Sequence, residues 1–591
     1  MQISLHRVLH GVLAIGLTAA VTSCVDNDYD LSKDIDLNVS VGGDLGLPSS
    51  NTENYSLEQI LDLSPTSSIQ PNGEEYGLAD GDYVLVQNGN RTSSSVEIPR
   101  QEINNLQGTP ASVTVPFVKP SDIDRLTVDI DGFSTRIALS DNSIDKAVES
   151  ITSASTQVRI RIALTMNSQD VSGSVAFEPG FTVEFPAACT LQAADQSLAE
   201  YCTVSGNKIT FTKERKVNMN STLTLPILIT KIDMTRLPQG QGLYAPGKFK
   251  FDQEITYKGA VTVDASGMAA GQTSSLQFLV TPTIESAQLT AVTGKINPDI
   301  HVNASSFAIN DIPDFLREPG NNLDVENPQI YLTVTNTSEC ELNVNASLTA
   351  VDENGKTTEV WLGSEHATDP IIVKPYSAMP GGVTRICISR TGRGDGNADV
   401  YVAVPDLSSL IATIPQSITM DNIGVKVSQD RDVTFELGRY DFDVDYKVVV
   451  PLAFGPDLEF TYTTDEAGWD EDLEKYNFKT VVATIQVENT APLDMVPEVK
   501  ALDRQGNVIN DVTASVEGTV LAGTLAAPQS SKLVVTLTSN AANIGNLDGV
   551  RFVFRARSGS QAVGVPLNKN QSLRFTDIRL KLKGGVSVDL N

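Results

Sequence analysis

Histidine is nearly absent from this 591-residue chain: there are four, and only His301 and His366 lie beyond residue 23. No His-x-x-His or His-Glu-x-x-His spacing occurs, so a histidine-built zinc site has no support. Cysteine is equally sparse, with five residues and no Cys-x-x-Cys, which removes zinc ribbons and thioredoxin-type redox chemistry. There is no Gly-x-Ser-x-Gly nucleophile elbow. Positive charge is scarce too: 43 Lys and Arg stand against 73 Asp and Glu, a net charge of −30. Such a chain repels phosphate backbones, so nucleic acid is not an expected partner. The acids are spread along the chain rather than gathered in one tail, which reads as solubility. Long stretches of 3.6-residue periodicity are missing, and beyond residue 21 no apolar run is long enough to span a bilayer.

One phosphate-loop look-alike occurs at Gly242-Leu243-Tyr244-Ala245-Pro246-Gly247-Lys248. Phe249 stands where a Ser or Thr would hold the metal, and a strand pattern follows instead of a helix. The stretch reads as a turn before a strand. No cofactor is implied anywhere.

The N-terminus carries an address. Arg7 precedes an apolar run, Val8 to Val21, that ends in Val21-Thr22-Ser23-Cys24. A basic start, a short apolar stretch and small residues before a cut site make a secretory signal. The cysteine after small residues resembles the lipobox of bacterial lipoproteins, with Val for Leu at position −3 and Thr-Ser for Ala-Gly. The resemblance implies that Cys24 becomes the new N-terminus and carries acyl chains, more than one of which gives stable membrane attachment. The acidic Val25-Asp26-Asn27-Asp28-Tyr29-Asp30 suits a flexible tether. It is similar to the export tag of Bacteroidetes-type surface lipoproteins, which implies an outer-membrane protein facing the cell exterior.

The body of the chain alternates apolar and polar residues with period two. In Tyr440, Phe442, Val444, Tyr446, Val448 and Val450 one apolar face alternates with Asp441, Asp443, Asp445 and Lys447, the pattern of a half-buried antiparallel strand. Phe249 to Val263 shows the same alternation, and aligning Tyr257 with Tyr446 suggests a repeat. A second repeat matches Leu332-Thr333-Val334-Thr335-Asn336-Thr337 to Ile485-Gln486-Val487-Glu488-Asn489-Thr490, followed by Asp352-Glu353-Asn354-Gly355 or Asp503-Arg504-Gln505-Gly506. Strand, Asn-Thr turn, strand, Asp-x-x-Gly turn is a meander. Val158 to Asn167, continuing through Val175, Phe177 and Phe181, opens a third, diverged copy. Short helical turns are expected at 57–63, 312–316, 406–411 and 470–476.

These patterns predict an all-β, multi-domain chain of tandem antiparallel β-sandwiches, immunoglobulin-like, linked by long amphipathic strands. The length suits about four domains. The expected division is a signal peptide 1–23, a tether 24–34, an N-terminal β region 35–150, a first sandwich with connecting strands 151–300, a second 301–462, and a C-terminal sandwich with terminal strands 463–591. Within these the sandwiches centre on 153–240, 325–415 and 478–558. The terminal strands 35–47 and 573–590, both amphipathic, are candidates to pair with each other.

The segments Tyr29 to Asp36, Asn327-Pro328-Gln329-Ile330 and Val450 to Gly455 resemble those of Bacteroidetes surface lipoproteins with repeated, fimbrillin-like sandwich units. The resemblance implies a fold and a location, and no catalytic residues. Cys189 with Cys202, and Cys340 with Cys387, are candidate disulfides in an exported protein. The acidic cluster Asp465 to Glu474 with Trp469 reads as a solvated connector or, less readily, a cation or sugar site. Asp395-Gly396-Asn397-Ala398-Asp399 has alternating oxygen ligands but lacks the Gly and Glu of a calcium loop; Arg393-Gly394-Asp395 overlaps it. Trp361, beyond the Asp352 turn, packs in a core or stacks on a ligand. The function expected is a non-enzymatic, lipid-anchored binding or adhesion protein with a glycan or protein ligand. Glycan capture or processing in a polysaccharide uptake system, and a fimbrial or envelope assembly subunit, are the alternatives.

Overall fold

The computed structural model describes residues 39–588 except for 42–44, 49–52, 62, 64, 66, 239–241, 310–313, 319, 364–368, 429–431, 468–475, 541–543, 545–546 and 584–585. Residues 1–38, and with them Cys24 and the tether, lie outside the described residues, as do Trp469 and His366. The fold is all-β, and among the described residues the strands pair antiparallel with one exception, Val383–Ser389 beside Val400–Ala403. Three of the four expected helical turns appear, as the α-helix Leu57–Leu61 and the 3-10 helices Asp314–Arg317 and Pro405–Ile411; the fourth, at 470–476, lies outside the described residues but for Tyr476, which is in a strand.

Six main sheets form three sandwiches with the same plan. In the first, which we call the inner unit, one sheet runs Thr222–Asp233, Ser153–Asn167, Thr273–Ser286, Ala111–Val118, and the other centres on Lys248–Asp264 beside Arg125–Asp141. In the middle unit the corresponding strands are Val383–Ser389, Gln329–Asn336, Gly438–Pro451 and Val84–Asn88, opposed by Leu342–Val351, Ser417–Val427 and Ser305–Ala308. In the outer unit they are Gln529–Ser539, Thr480–Asn489, Ser572–Lys583 and Leu45–Pro48, opposed by Leu493–Leu502, Gly549–Ser558 and Phe460–Glu466. The first strands of the middle and outer units are thus separated from the rest of their unit by the whole of the next unit in. The inner unit is inserted into the middle one, and the middle one into the outer. The terminal segments do pair: Val39 lies opposite Val588, and Leu45 opposite Leu582.

Strand pairing cuts across the contiguous divisions read from the sequence. Segment 35–150 is shared among all three units, and the long strands in 246–300 and 417–462 are central sheet members rather than connectors. The suggested equivalence of 249–263 with 440–450 does not hold, because Lys248–Asp264 and Gly438–Pro451 occupy opposite sheets of their units. Both alternate because both have one buried face, which is a property of any half-buried strand.

The repeat built on Asn336 and Asn489 is exact in its chemistry. Both side chains are fully buried. Asn336 Nδ2 donates to the carbonyls of Cys340 (2.8 Å) and Lys374 (2.9 Å), and its Oδ1 accepts the Ser338 amide. Asn489 Nδ2 donates to Leu493 (3.0 Å) and Leu521 (2.9 Å), and its Oδ1 accepts the Ala491 amide. The next residue repeats as well: Thr337 Oγ1 bonds the backbone of Asp441, and Thr490 Oγ1 that of Ser572, each as donor and as acceptor. Asp352 and Asp503 close matching turns by accepting two amides each, with Gly355 and Gly506 at φ of 78° and 76°. Positive φ there favours glycine. These side chains satisfy backbone groups that the strand ends would otherwise bury unpaired.

Packing separates the units unequally. The inner and middle units share one continuous apolar cluster, which Leu493 joins from the outer unit, and the outer unit has two further small clusters, around Leu537 and around Val487. In the inner unit Phe177, Phe181, Phe211 and Phe278 form a ring cluster with centroids 5.1–6.3 Å apart. The seam between inner and middle units is a shared ladder, Val433–Glu436 on Gln288–Gly294. The seam between middle and outer units is bridged at Asp82 to Asn568 and Ala453 to Pro566.

Candidate binding face

The cysteines are free thiols in the structure, which corrects the expected disulfides: Cys189, Cys202, Cys340 and Cys387 are all buried and unpaired. Cys387 lies opposite Tyr331, whereas Cys340 follows Asn336 at the far end of the same strand. Five residues of strand separate those ends, about 17 Å, far beyond the ~7 Å that a disulfide can bridge. Cys189 and Cys202 belong to different sheets, one opposite Ile232 and the other opposite Phe211. Burial pushes the Cys189 and Cys202 thiols up to about 12, and those of Cys340 and Cys387 to about 11. They stay protonated and unreactive at neutral pH.

In the Asp395 to Asp399 turn both carboxylates accept backbone amides. Asp395 Oδ1 accepts the Asn397 amide at 2.9 Å, and Asp399 Oδ2 accepts the Arg385 amide at 2.8 Å. The Asp395 amide itself donates to Tyr331 Oη. Gly394 is wedged against the Cys387 thiol and the Tyr331 hydroxyl, where any Cβ would come within 2.6–2.8 Å. This is a pinned hairpin, and no group of three or more potential metal ligands is found among the described residues. The phosphate-loop look-alike is a hairpin, Gly242–Ala245 on Lys248–Asp264, turning at Gly247. Asp465 forms a bidentate pair with Arg551 at 2.6 Å, whose hydrogen bond holds its carboxyl below the usual range. His301 is an exposed loop residue 3.1 Å from Asp299. At the inner–middle seam an apolar crevice lined by Ile98, Ile296, Cys340 and Phe435 has room for no more than a water-sized group.

Trp361 does not enter a core. It lies on the outer face of the middle unit's second sheet, on the edge strand Thr357–Leu362, and is 37% exposed. Alternation dictates this: Val360 and Leu362 are buried, so Trp361 and Glu359 point outward. Across the sheet Trp361 faces Ser347, and Ser347 faces Asp421. A β-bulge interrupts the next row, where Asn422 and Ile423 together oppose Ala346, and Asn422 adopts φ of 49°. Bulges re-aim side chains and are frequent beside functional sites. Asn422 Nδ2 donates to Ser347 Oγ (3.0 Å) and Asp421 Oδ1 (3.1 Å), and Ser347 Oγ donates to Asp421.

Asn345 completes the face. It is 8% exposed, and its Oδ1 is fully buried without a partner, against Gly363, which has no side chain to fill the space. A buried acceptor left unpaired costs about 1–3 kcal/mol. Of the described residues only Asn72 shares this condition. Sequence reading singled out Trp361 and missed Asn345, Asp421 and Asn422. A signal was present: apolar positions in Ser417–Val427 switch from Ile418 and Met420 to Ile423, Val425 and Val427, the parity slip of a bulge.

No family model matches the chain, and no curated protein matches it. Among solved structures, a protein of Parabacteroides distasonis described as secreted is 17% identical over 50% of this chain and 83% of its own, with a TM-score of 0.34. The structure of PNGF-II is 9% identical over 73% of this chain and 98% of its own, with a TM-score of 0.13. The Sulfolobus turreted icosahedral virus is 12% identical over 82% and 92%, with a TM-score of 0.10. At these identities and scores they assign neither a family nor an activity.

Proposed function

We propose that the protein is a non-enzymatic binding or adhesion module, anchored through lipid on Cys24 in the outer membrane and displayed toward the cell exterior. The nested topology is the observation that carries this reading. The described strand nearest the tether, Val39–Val41, belongs to the outer unit, which also receives Val586–Val588. The fifteen residues from Cys24 to Val39 reach at most about 50 Å when extended, so the outer unit stays near the bilayer. The inner unit is joined to the outer one through the middle unit, to which a shared ladder and a shared core hold it. A tethered base, a rigid intermediate and a remote tip suit presentation of a surface away from a membrane. The net charge of −30 keeps such a module from collapsing onto an anionic envelope. Glycan capture is the second reading, favoured by the sheet face that carries Trp361.

Whole cells treated with a membrane-impermeant biotinylating reagent test the display. Labelling of the wild-type protein and its loss, with release from the membrane fraction, in Cys24→Ala is the expected result. Membrane attachment without labelling places the protein on the periplasmic side and refutes outward display. Attachment that survives Cys24→Ala refutes the anchor.

A further inference from the structure

One segment of the chain crosses all three units. Leu45–Pro48 and Glu53–Ser56 lie along Ser572–Lys583 in the outer unit, and Val84–Asn88 and Thr92–Ile98 lie along Gly438–Pro451 in the middle unit. Ala111–Val118 lies along Thr273–Ser286 in the inner unit. Each pairing is antiparallel and sits at the edge of its unit's first sheet, with Ile69–Gln70 of the same segment outside Val84–Asn88. The order along the chain is the order in space. Val39 opposes Val588 at the tethered end of the outer unit, and Ser56 opposes Ser572 toward the middle unit. There Asp82 bridges to Asn568 and the Tyr83 amide donates to the Leu567 carbonyl. Val84 opposes Pro451 beside that seam, and Ile98 opposes Gly438 beside the next one. At this second seam Gln101–Glu102 and Val433–Glu436 both pair with Gln288–Gly294, which also pairs with Ser153 to Thr156. Val118 opposes Thr273 near Asn167, about 36 Å along the strand from Thr156, at the inner unit's far end.

We infer that residues 39–118 are a load-bearing strap: tension between the anchored end and the far end of the inner unit runs along this segment and loads its edge ladders in shear. The strap strands already lie extended between the two ends. Length is gained mainly from the bent connections between them, above all residues 57–83. These straighten only if a strap strand slides along its partner. Sliding makes the hydrogen bonds of a whole ladder give together, whereas pulling two strands apart sideways breaks them one at a time. The connection 57–83 is itself held closed: Asn568 Nδ2 donates to Asp82 Oδ1 at 2.8 Å and to the Asp80 carbonyl at 2.9 Å. The far end is fastened by Lys119, whose side chain is 8% exposed. Its Nζ lies 2.9 Å from both the Met268 carbonyl and Asp124 Oδ1, its amide donates to Gln272, and its carbonyl accepts from Gly271. Burying an ammonium is costly unless it is paired and bonded; here it rivets the strap to the loop 265–272. The bodies of the middle and outer units, within 305–451 and 460–583, are contiguous stretches of the returning chain. They clamp the strap without lying in series with it.

Load between these ends presupposes the displayed binding module proposed above, on which the strap's role rests, but its strength is measured without cells. The soluble chain 25–591 is held by its N-terminus and by Ser121→Cys, an exposed position just past Lys119, and stretched in a single-molecule force instrument. The native cysteines other than Cys24 are buried and leave the new thiol as the site of attachment. In the comparison chain the second handle is Asn591→Cys. Val39 and Val588 face each other, so this pull opens the outer unit's edge pairs in turn. First rupture is expected at a force at least twofold higher between the N-terminus and residue 121 than between the two termini. An equal or lower force overturns the strap. Asn568→Ala should lower the first-rupture force between the N-terminus and residue 121 and leave the pull between the termini unchanged. Any other result for this variant overturns 57–83 as the connection that yields first. A shear-strong strap in a protein that the biotinylating reagent does not reach on intact cells refutes outward display alone.

Discussion

Replacing Asn489 with alanine deletes three hydrogen bonds from a side chain that has no exposed surface. The amide of Ala491 and the carbonyl of Leu493 remain buried without those partners, and the carbonyl of the more exposed Leu521 loses its own. At about 1–3 kcal/mol for each buried group left unpaired, with carbonyls retaining a second lone pair, the loss sums to about 3–5 kcal/mol. All three partners belong to the outer unit, so the loss falls mainly there. Hydrogen exchange read by mass spectrometry resolves it. Peptides covering Thr480–Asn489 and Gln529–Ser539 should lose protection by about 150-fold or more, the equivalent of ~3 kcal/mol at 1.4 kcal/mol per tenfold. Peptides from Ser153–Asn167 should be unchanged. Asn336→Ala should do the same to the middle unit. Asn489→Asp keeps the acceptor and turns a second oxygen toward the two carbonyls. Its charged form is disfavoured, its folded pKa rises above the unfolded value of ~3.9, and its defect is largest at neutral pH and shrinks as pH falls. A loss below about 1 kcal/mol in Asn489→Ala refutes the assignment of these asparagines as the pins of the repeat.

Two further outcomes follow from burial. In the soluble chain 25–591 all four cysteines should alkylate under denaturing conditions without reductant, and should resist iodoacetamide at pH 8 in the native state, because burial holds their thiols at about 11 to 12; a denatured chain that needs reductant before two or four thiols react contradicts the free state. Asp141 is buried, which raises its pKa, but bonds from Ser143 and Asn104 outweigh that and hold it below the ordinary value. With its folded pKa depressed, it contributes stability above the unfolded pKa of ~3.9 that is lost as pH falls through the folded value. Asp141→Asn should therefore lower inner-unit protection at pH 7 and flatten its decline between about pH 5 and 2; an unchanged acid profile refutes this role.

The all-β class, the half-buried strands and the Asn-Thr and Asp-x-x-Gly turns were legible in the sequence, because each rests on local chemistry. Period-two alternation reports that a strand has one buried face, and an Asn or Asp side chain closes its turn within a few residues. The pairing of residues 39–48 with 579–588 was also open to reading, because both ends are amphipathic and need a partner. Trp361 could be singled out by type but not placed. Its outward position depends on which strand face meets the core, and the parity slip at Asp421 and Asn422 was the only local trace of the bulge beside it. The nesting of the units, the separation of Cys340 from Cys387 and the unpaired Oδ1 of Asn345 were decided by tertiary structure alone. Each depends on contacts between residues tens to hundreds of positions apart, and alternation carries no information about which strand a given edge will meet.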